Sequence, residues 1–234
     1  MQAVIMAGGR GTRLAPYTTV LPKPLMPLDD RPVIELVLRQ LVRDGADGVL
    51  ISVGHLGSLL ESWVTSEIDC GVPVSFVYED EPLGTAGALR NIPGPQGTFL
   101  ALNGDILTTL SFAELLDFHA GSGAIATMAV KERTVDIEYG IVHTDGSGFV
   151  SGLEEKPRLT YTVSMGIYAF EPAIVDHIQP GERIDFPDLL LRAMAAGDRV
   201  AVYPFDGYWR DIGNRDDYES AISDFATDPG RFLS

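Results

Sequence analysis

The chain has 234 residues, 45% of them apolar and 21% charged, with one cysteine and a net charge of −16. At this length folding buries roughly 70–75% of the unfolded chain's surface, so the core needs no staple, and the single Cys70 excludes an internal disulfide framework and any multi-cysteine metal site. No apolar run reaches the roughly 20 residues that span a bilayer, the opening MQAVIMAGGR lacks the basic flank of a signal peptide, and the acidity disfavours a nucleic-acid or anionic-membrane partner; a reducing, cytoplasmic setting is expected.

Val4–Ala7 reads as a short buried strand running into Gly8-Gly9-Arg10-Gly11-Thr12-Arg13, too rich in glycine for a helix interior. Pro16, Pro22, Pro24 and Pro27 keep residues 14–28 extended or looped. Arg31-Pro32 then opens a helix that ends near Asp44 and Gly45. A strand at Gly48–Val53, a helix near Leu56–Glu67, a strand at Val74–Tyr78, a short helix over Gly84–Asn91 and a strand at Thr98–Leu102 follow. Ser111 caps a helix to His119, with Glu114 completing a capping box. This alternation predicts a parallel sheet with helices on both faces.

From about residue 124 the rhythm changes. Ala124–Val130, Ile137–His143, Phe149–Leu153 and Tyr161–Phe170 are strand-like, with a turn at Asp145–Gly148, and predict an antiparallel or mixed extension. Helices at Pro172–Ile178 and Asp185–Ala196, a strand at Arg199–Tyr203 and a helix from Asn214 to Phe225 complete the chain. His119 and His143 have no partner at ligand spacing and read as structural. Met26, Met128, Met165 and Met194 read as core filler.

A glycine-rich loop after the first strand brings backbone N–H groups close to an anion, at the end of the sheet where α/β proteins bind ligands. The charge distribution agrees. Residues 1–28 hold Arg10, Arg13 and Lys23 and no acid, whereas the rest holds 14 basic and 33 acidic side chains. The local reading is a polyphosphate site; the bland alternative is a turn with exposed cations. The loop is neither G-x-x-x-x-G-K-[ST] nor G-x-G-x-x-G.

The full string, Gly8-Gly9-Arg10-Gly11-Thr12-Arg13-Leu14-Ala15-Pro16-Tyr17-Thr18 followed by Pro22-Lys23-Pro24, closely resembles the signature of the sugar-1-phosphate nucleotidyltransferases. Further motifs follow in that family's order. Leu102-Asn103-Gly104-Asp105 resembles L-N-G-D, Tyr139-Gly140-Ile141 resembles Y-G-V, Glu155-Lys156-Pro157 matches E-K-P, and Trp209-Arg210-Asp211-Ile212-Gly213 resembles W-x-D-I-G. Pro82-Leu83-Gly84-Thr85-Ala86-Gly87 resembles the segment that approaches the base, in the form of the branch acting on mannose-1-phosphate or heptose-1-phosphate. Taken alone, each of these short strings has a plainer reading: a turn for Asn103–Asp105, a solvated charge run for Glu154–Lys156, a helix cap for Asp211, and a water-facing acidic loop for Glu79, Asp80 and Glu81.

The resemblance implies an α/β fold, a Rossmann-like doubly wound mixed sheet with a small β-rich sugar-binding lobe. It implies one domain over 1–234, with about 1–123 binding nucleotide and about 124–234 binding sugar phosphate. The implied activity is transfer of a nucleoside monophosphate from a nucleoside triphosphate, GTP by the branch, to a sugar 1-phosphate. The alternatives are dTTP, UTP or CTP as donor, or a catalytically silent sugar-nucleotide-binding paralogue. Arg13, Lys23 and Asp105 are the implied catalytic residues. Ala7, Gly8, Gly9, Gly11, Thr12, Arg13, Glu81, Gly84 and Thr85 would hold the nucleotide, with Glu81 accepting from guanine. Tyr139, Gly140, Glu155, Lys156 and Ser164 would hold the sugar phosphate, Ser164 standing where many members carry Asn. Asp105 and Asp211 would bind Mg²⁺. A homo-oligomer is compatible with this reading.

Overall fold

The computed structural model describes residues 1–79, 81–93 and 97–233; Asp80 of the acidic run lies outside them. Five elements of the first half recur as the periodicity predicts: β1 (Gln2–Ala7), α1 (Val33–Arg43), β2 (Gly48–Val53), α2 (Gly57–Glu67) and β3 (Val74–Tyr78). β4 (Phe99–Asn103), a short β5 (Ile106–Thr108) and α3 (Phe112–Ser122) come next. Ser111 caps α3, its Oγ accepting from the Glu114 N–H at 3.3 Å, and Gly123 ends it in the left-handed region at φ +60°.

The second half supplies β6 (Ala126–Asp136), β7 (Ile141–Thr144), β8 (Val150–Glu154), β9 (Arg158–Phe170), α4 (Phe186–Ala195), β10 (Val200–Pro204), β11 (Trp209–Asp211) and α5 (Arg215–Thr227). Seven strands form one sheet in the order β10-β6-β9-β4-β1-β2-β3. All neighbours pair parallel except β9, which runs against both β4 and β6. Of the strands after residue 124, β6, β9 and β10 therefore belong to the main sheet, and only the far ends of β6 and β9 leave it. β6 and β9 continue past a register shift between Ser164 and Tyr168 into an exposed two-stranded arm. The β7–β8 hairpin accompanies it, making the β-rich lobe. Residues Ile137–Gly140 are not strand as expected. The Ile137 N–H bonds the Pro157 carbonyl at 3.0 Å, which turns the chain before β7.

Both sheet faces are covered, because β1 alternates strictly. Ala3, Ile5 and Ala7 face one core with Leu36 and Leu41 of α1, Leu60 of α2, Phe112 of α3 and Phe225 of α5. Val4 and Met6 face the other, with Phe186 and Leu189 of α4 and the Ala88–Ile92 turn. Helices on both faces make the sheet doubly wound. His119 is structural, buried between Thr127 Oγ1 at 2.7 Å and Glu171 Oε1 at 3.2 Å. Met26 and Met165 are core, but Met194 lies on the outer face of α4, 54% exposed. No helix among the described residues is long and apolar enough to cross a membrane.

Candidate active site

The loops after β1, β2, β3 and β4 meet at the carboxyl ends of the strands, and glycine lets them touch. A Cβ on Gly54 would lie 2.8 Å from the Gly8 carbonyl oxygen, and one on Gly8 would lie 2.7 Å from Glu79 Oε1. Gly11 adopts φ +60°, where its missing Cβ leaves room for Thr18 and for the Lys23 stem. Thr18, buried, donates to the Gly11 carbonyl at 2.7 Å. The threonine of the string thus braces the glycine loop from behind, a role the sequence reading did not assign.

Lys23 opens a single 3₁₀ turn, Lys23–Leu25, between Pro22 and Pro24, so its backbone has little freedom. Gly104 packs against the side chains of Ile5 and Pro24, and its N–H bonds the Met6 carbonyl at 3.0 Å. That contact sets Asp105 beside Lys23. The second acid arrives through a short ladder: β11 pairs antiparallel with β5, Asp211 facing Ile106, and the Ile212 N–H bonds the Asp105 carbonyl at 3.0 Å. Gly213 has no side chain to intrude between Asp211 and Arg13; a Cβ there would stand 3.3 Å from Asp211 Oδ1 and 3.4 Å from Arg13 Nη2.

Arg13, Lys23, Asp105 and Asp211 therefore converge. Lys23 Nζ donates to Asp105 Oδ2 and lies 3.7 Å from Asp211 Oδ1. The Lys23 and Asp105 side chains are 14% and 15% exposed, and that of Asp211 is 42% exposed. Burial and, after it, the Asp105 charge push the Asp211 carboxyl above the usual range, while Lys23 and Arg13 pull it back. Oδ1 of each aspartate is buried without a hydrogen-bond partner. Two carboxylates within reach of one ammonium, each with a buried oxygen that accepts no hydrogen bond, fit a hard divalent cation completed by phosphate oxygens. No cluster of three or more acidic, histidine or cysteine ligands occurs among the described residues.

The sugar-side residues form a second group. Gly140 lies against Glu155, whose Oε2 would be 3.0 Å from a Cβ at that position. Lys156, next along, holds φ +44° and is exposed, as is Tyr139 at 78%. Ser164 Oγ pairs with the Tyr168 hydroxyl at 2.9 Å and accepts from the Gly166 N–H at 3.2 Å. A Cβ on Gly166, at φ +70°, would strike Asn103 Nδ2 at 2.5 Å, so the strand of Ser164 leans directly on the loop of Asp105.

On the nucleotide side, Glu81 is exposed. Glu79 is the acid at the glycine loop: Oε1 accepts from Ser52 Oγ at 2.8 Å and Oε2 from the Leu83 N–H at 3.0 Å. Two residues decide this. β3 ends at Tyr78, and the Glu79 N–H still bonds the Val53 carbonyl at 2.9 Å, which holds the Glu79 side chain in the loop cluster. Thr85 is engaged with the 182–186 loop, its N–H on Asp185 Oδ1 at 2.8 Å and its Oγ1 accepting from the Phe186 N–H at 3.0 Å. Gly84, at φ +78°, sits against the Ile184 carbonyl.

A doubly wound sheet with a glycine loop, two cations and paired acids at the strand ends is an α/β architecture of the kind that places anion sites at the strand ends. The nucleotidyl transferase family model matches residues 2–228, and the chain belongs to that family. It is 34% identical over 242 residues to UTP–glucose-1-phosphate uridylyltransferase of Synechocystis, covering 95% of this chain and 62% of that protein. It is 32% identical over 233 residues to mannose-1-phosphate guanylyltransferase catalytic subunit beta of Dictyostelium discoideum, covering 95% of this chain and 64% of that one. The chain thus spans less than two thirds of the length of these relatives. The crystal structure of HddC from Yersinia pseudotuberculosis shares the fold at TM-score 0.72 and 24% identity, over 96% of this chain and 99% of HddC. HddC complexed with GMP-PN superposes at TM-score 0.71.

Proposed function

We propose that this chain transfers a nucleoside monophosphate from a nucleoside triphosphate to a sugar 1-phosphate, releasing pyrophosphate. The observation that carries the reading is the meeting of Arg13, Lys23, Asp105 and Asp211 at the strand ends, from segments up to 198 residues apart. The family membership and the names of the relatives support the same chemistry. The nucleophile is a phosphate oxygen of the sugar 1-phosphate, already anionic, so no general base is needed. The oxygen attacks the α-phosphorus in line, and pyrophosphate departs on the far side.

The chain's task is to hold two anions together. At 4 Å two unit charges repel by about 4 kcal/mol at an effective dielectric near 20. Lys156 offsets the sugar phosphate, and Lys23 and Arg13 offset the triphosphate. Ala7, Gly8, Gly9, Gly11 and Thr12 supply loop backbone to the phosphates. Asp105 and Asp211 would hold Mg²⁺, which when bound supplies Lewis-acid charge to the triphosphate. Glu155 and Gly140 form the sugar cradle beside Lys156.

Guanine is the base the site favours, read by Glu79 in place of Glu81. Each Glu79 oxygen uses one acceptor direction on Ser52 or Leu83 and keeps another. Two parallel acceptors match guanine N1–H and N2–H₂; uracil and thymine offer one N–H between two carbonyls. The neighbour HddC, crystallised with GMP-PN, supports this choice, whereas the uridylyltransferase relative supports the alternative donor. Pyrophosphate release, measured with GTP, UTP, dTTP and CTP against mannose-, glucose- and heptose-1-phosphate, tests the reading. Release with GTP at the highest kcat/KM is expected. Preference for a pyrimidine nucleotide would overturn the base assignment, and no release with any pair would leave a silent binding protein.

A further inference from the structure

The Lys23 ammonium is not directed at solvent or at the glycine loop. It lies between the carboxylates of Asp105 and Asp211, donating to the first and ion-paired with the second at 3.7 Å. Its own side chain is 14% exposed, so the charge is largely withdrawn from water and held by these two acids. Bringing two carboxylates into one half-buried pocket is unfavourable unless a cation neutralises them. In the ligand-free protein that cation is the lysine. The stem has a fixed origin, since Pro22 and Pro24 bracket it and its Cβ packs 3.5 Å from where a Cβ on Gly11 would lie. Only the four-carbon chain is free to carry the charge elsewhere, and the glycine loop is directly above that origin.

We propose that Lys23 is the resident cation of the Asp105–Asp211 site, so that a divalent ion enters only as the ammonium leaves for the triphosphate. The inference rests on the reading of Asp105 and Asp211 as the metal-holding pair. It makes one residue serve two states: counter-ion of the acids when the site is free of nucleotide, phosphate ligand when it is loaded. The ion and the nucleotide then bind with positive coupling, and by linkage each strengthens the other by the same factor. The free protein should be a poor metal binder although its acids are already assembled. The two carboxylates also never face each other without a positive charge between them.

The test uses Mn²⁺ alone as probe on the full chain, with free Mn²⁺ read by electron paramagnetic resonance and no turnover required. Lys23→Met should bind Mn²⁺ at least tenfold tighter than wild type without nucleotide, and its melting temperature should rise more on Mn²⁺ addition. Asp211→Asn in that background should abolish the gain. Equal Mn²⁺ affinity of Lys23→Met and wild type would overturn the inference while leaving the metal site intact. If Asp105→Asn left nucleotide-dependent Mn²⁺ binding unchanged, the underlying metal assignment would itself fail.

A second measurement needs no variant. The chain has three lysines, so the ¹⁵N-ammonium signal of Lys23 is readily assigned. It should be sharp in the ligand-free protein, as an ion-paired, shielded group, and should shift or broaden as Mg²⁺ saturates the site. A Lys23 signal unmoved at saturating Mg²⁺ would show ammonium and metal coexisting, and the inference would be wrong.

Discussion

Gly8→Ala probes how closely the strand-end loops are packed. The Gly8 backbone lies outside the left-handed region, so alanine is conformationally acceptable and only space is at issue. The new Cβ would stand 2.7 Å from Glu79 Oε1, well inside contact distance. Glu79 cannot simply swing away, because Ser52 Oγ and the Leu83 N–H hold its two oxygens at 2.8 and 3.0 Å. Displacing it loses two hydrogen bonds to a charged group, each worth about 1.5 kcal/mol at the low end, or about 3 kcal/mol together. For a chain of this size that corresponds to a fall in melting temperature of roughly 6–12 °C. If the loop shifts instead, the same energy appears as a loss of roughly 100-fold in kcat/KM for the nucleotide. Denaturant titration and nucleotide kinetics on Gly8→Ala, Glu79→Ala and the double variant form a cycle. The double variant should resemble Glu79→Ala alone, since removing the carboxylate makes room for the methyl group. A Gly8→Ala protein with wild-type stability and nucleotide kinetics would refute the packing argument.

Asp211→Asn should leave the fold at least as stable as wild type while abolishing turnover, because burial and the Asp105 charge already disfavour the ionised carboxyl. The pH dependence follows from the raised Asp211 carboxyl: its ionisation opposes folding, so the wild type gains stability as pH falls through the folded-state pKa, and Asp211→Asn lacks that gain. Parallel urea titrations across the acid range compare the two. Lys156→Ala should raise KM for the sugar phosphate by tenfold or more with little change in KM for the nucleotide; steady-state kinetics varying each substrate separate them. Glu79→Gln, which exchanges one acceptor for a donor, should raise KM for GTP at least tenfold and narrow the gap between GTP and UTP; an unchanged GTP constant would remove Glu79 from base reading. Glu182, hydrogen-bonded by Arg192 at 2.6 Å and drawn down to about 2, contributes stability that is present at neutral pH and lost in strong acid, and Glu182→Gln should remove that acid sensitivity.

Much of this protein could be read before its fold was known. Short apolar runs located the strands from Val4 to Leu102, because a strand buried on both faces is apolar at nearly every residue. Ser111 and Asn214 marked helix starts for the same local reason, and both side chains accept from the third residue on. The phosphate loop, Lys23, Asp105, Lys156 and Asp211 stood out through one long string and several short ones in a fixed order.

Tertiary structure alone decided how those pieces meet. The strand-like run from Tyr161 to Phe170 pointed to an antiparallel or mixed extension, but no local pattern told that β9 would lie between β4 and β6, since register depends on partners some 20 to 70 residues away. The same holds for the β5–β11 ladder that carries Asp211 to Asp105, with only three residues on each strand. Glu79 and Glu81 are chemically identical in the sequence, and only the last hydrogen bond of β3 turns the first inward. What Thr18 and the glycines at 8, 54, 104, 166 and 213 pack against shows only when the neighbouring segments close upon them. A sequence records what each residue can do, whereas the two-carboxylate pocket filled by Lys23 is a property of distances between segments that the chain brings together only when folded.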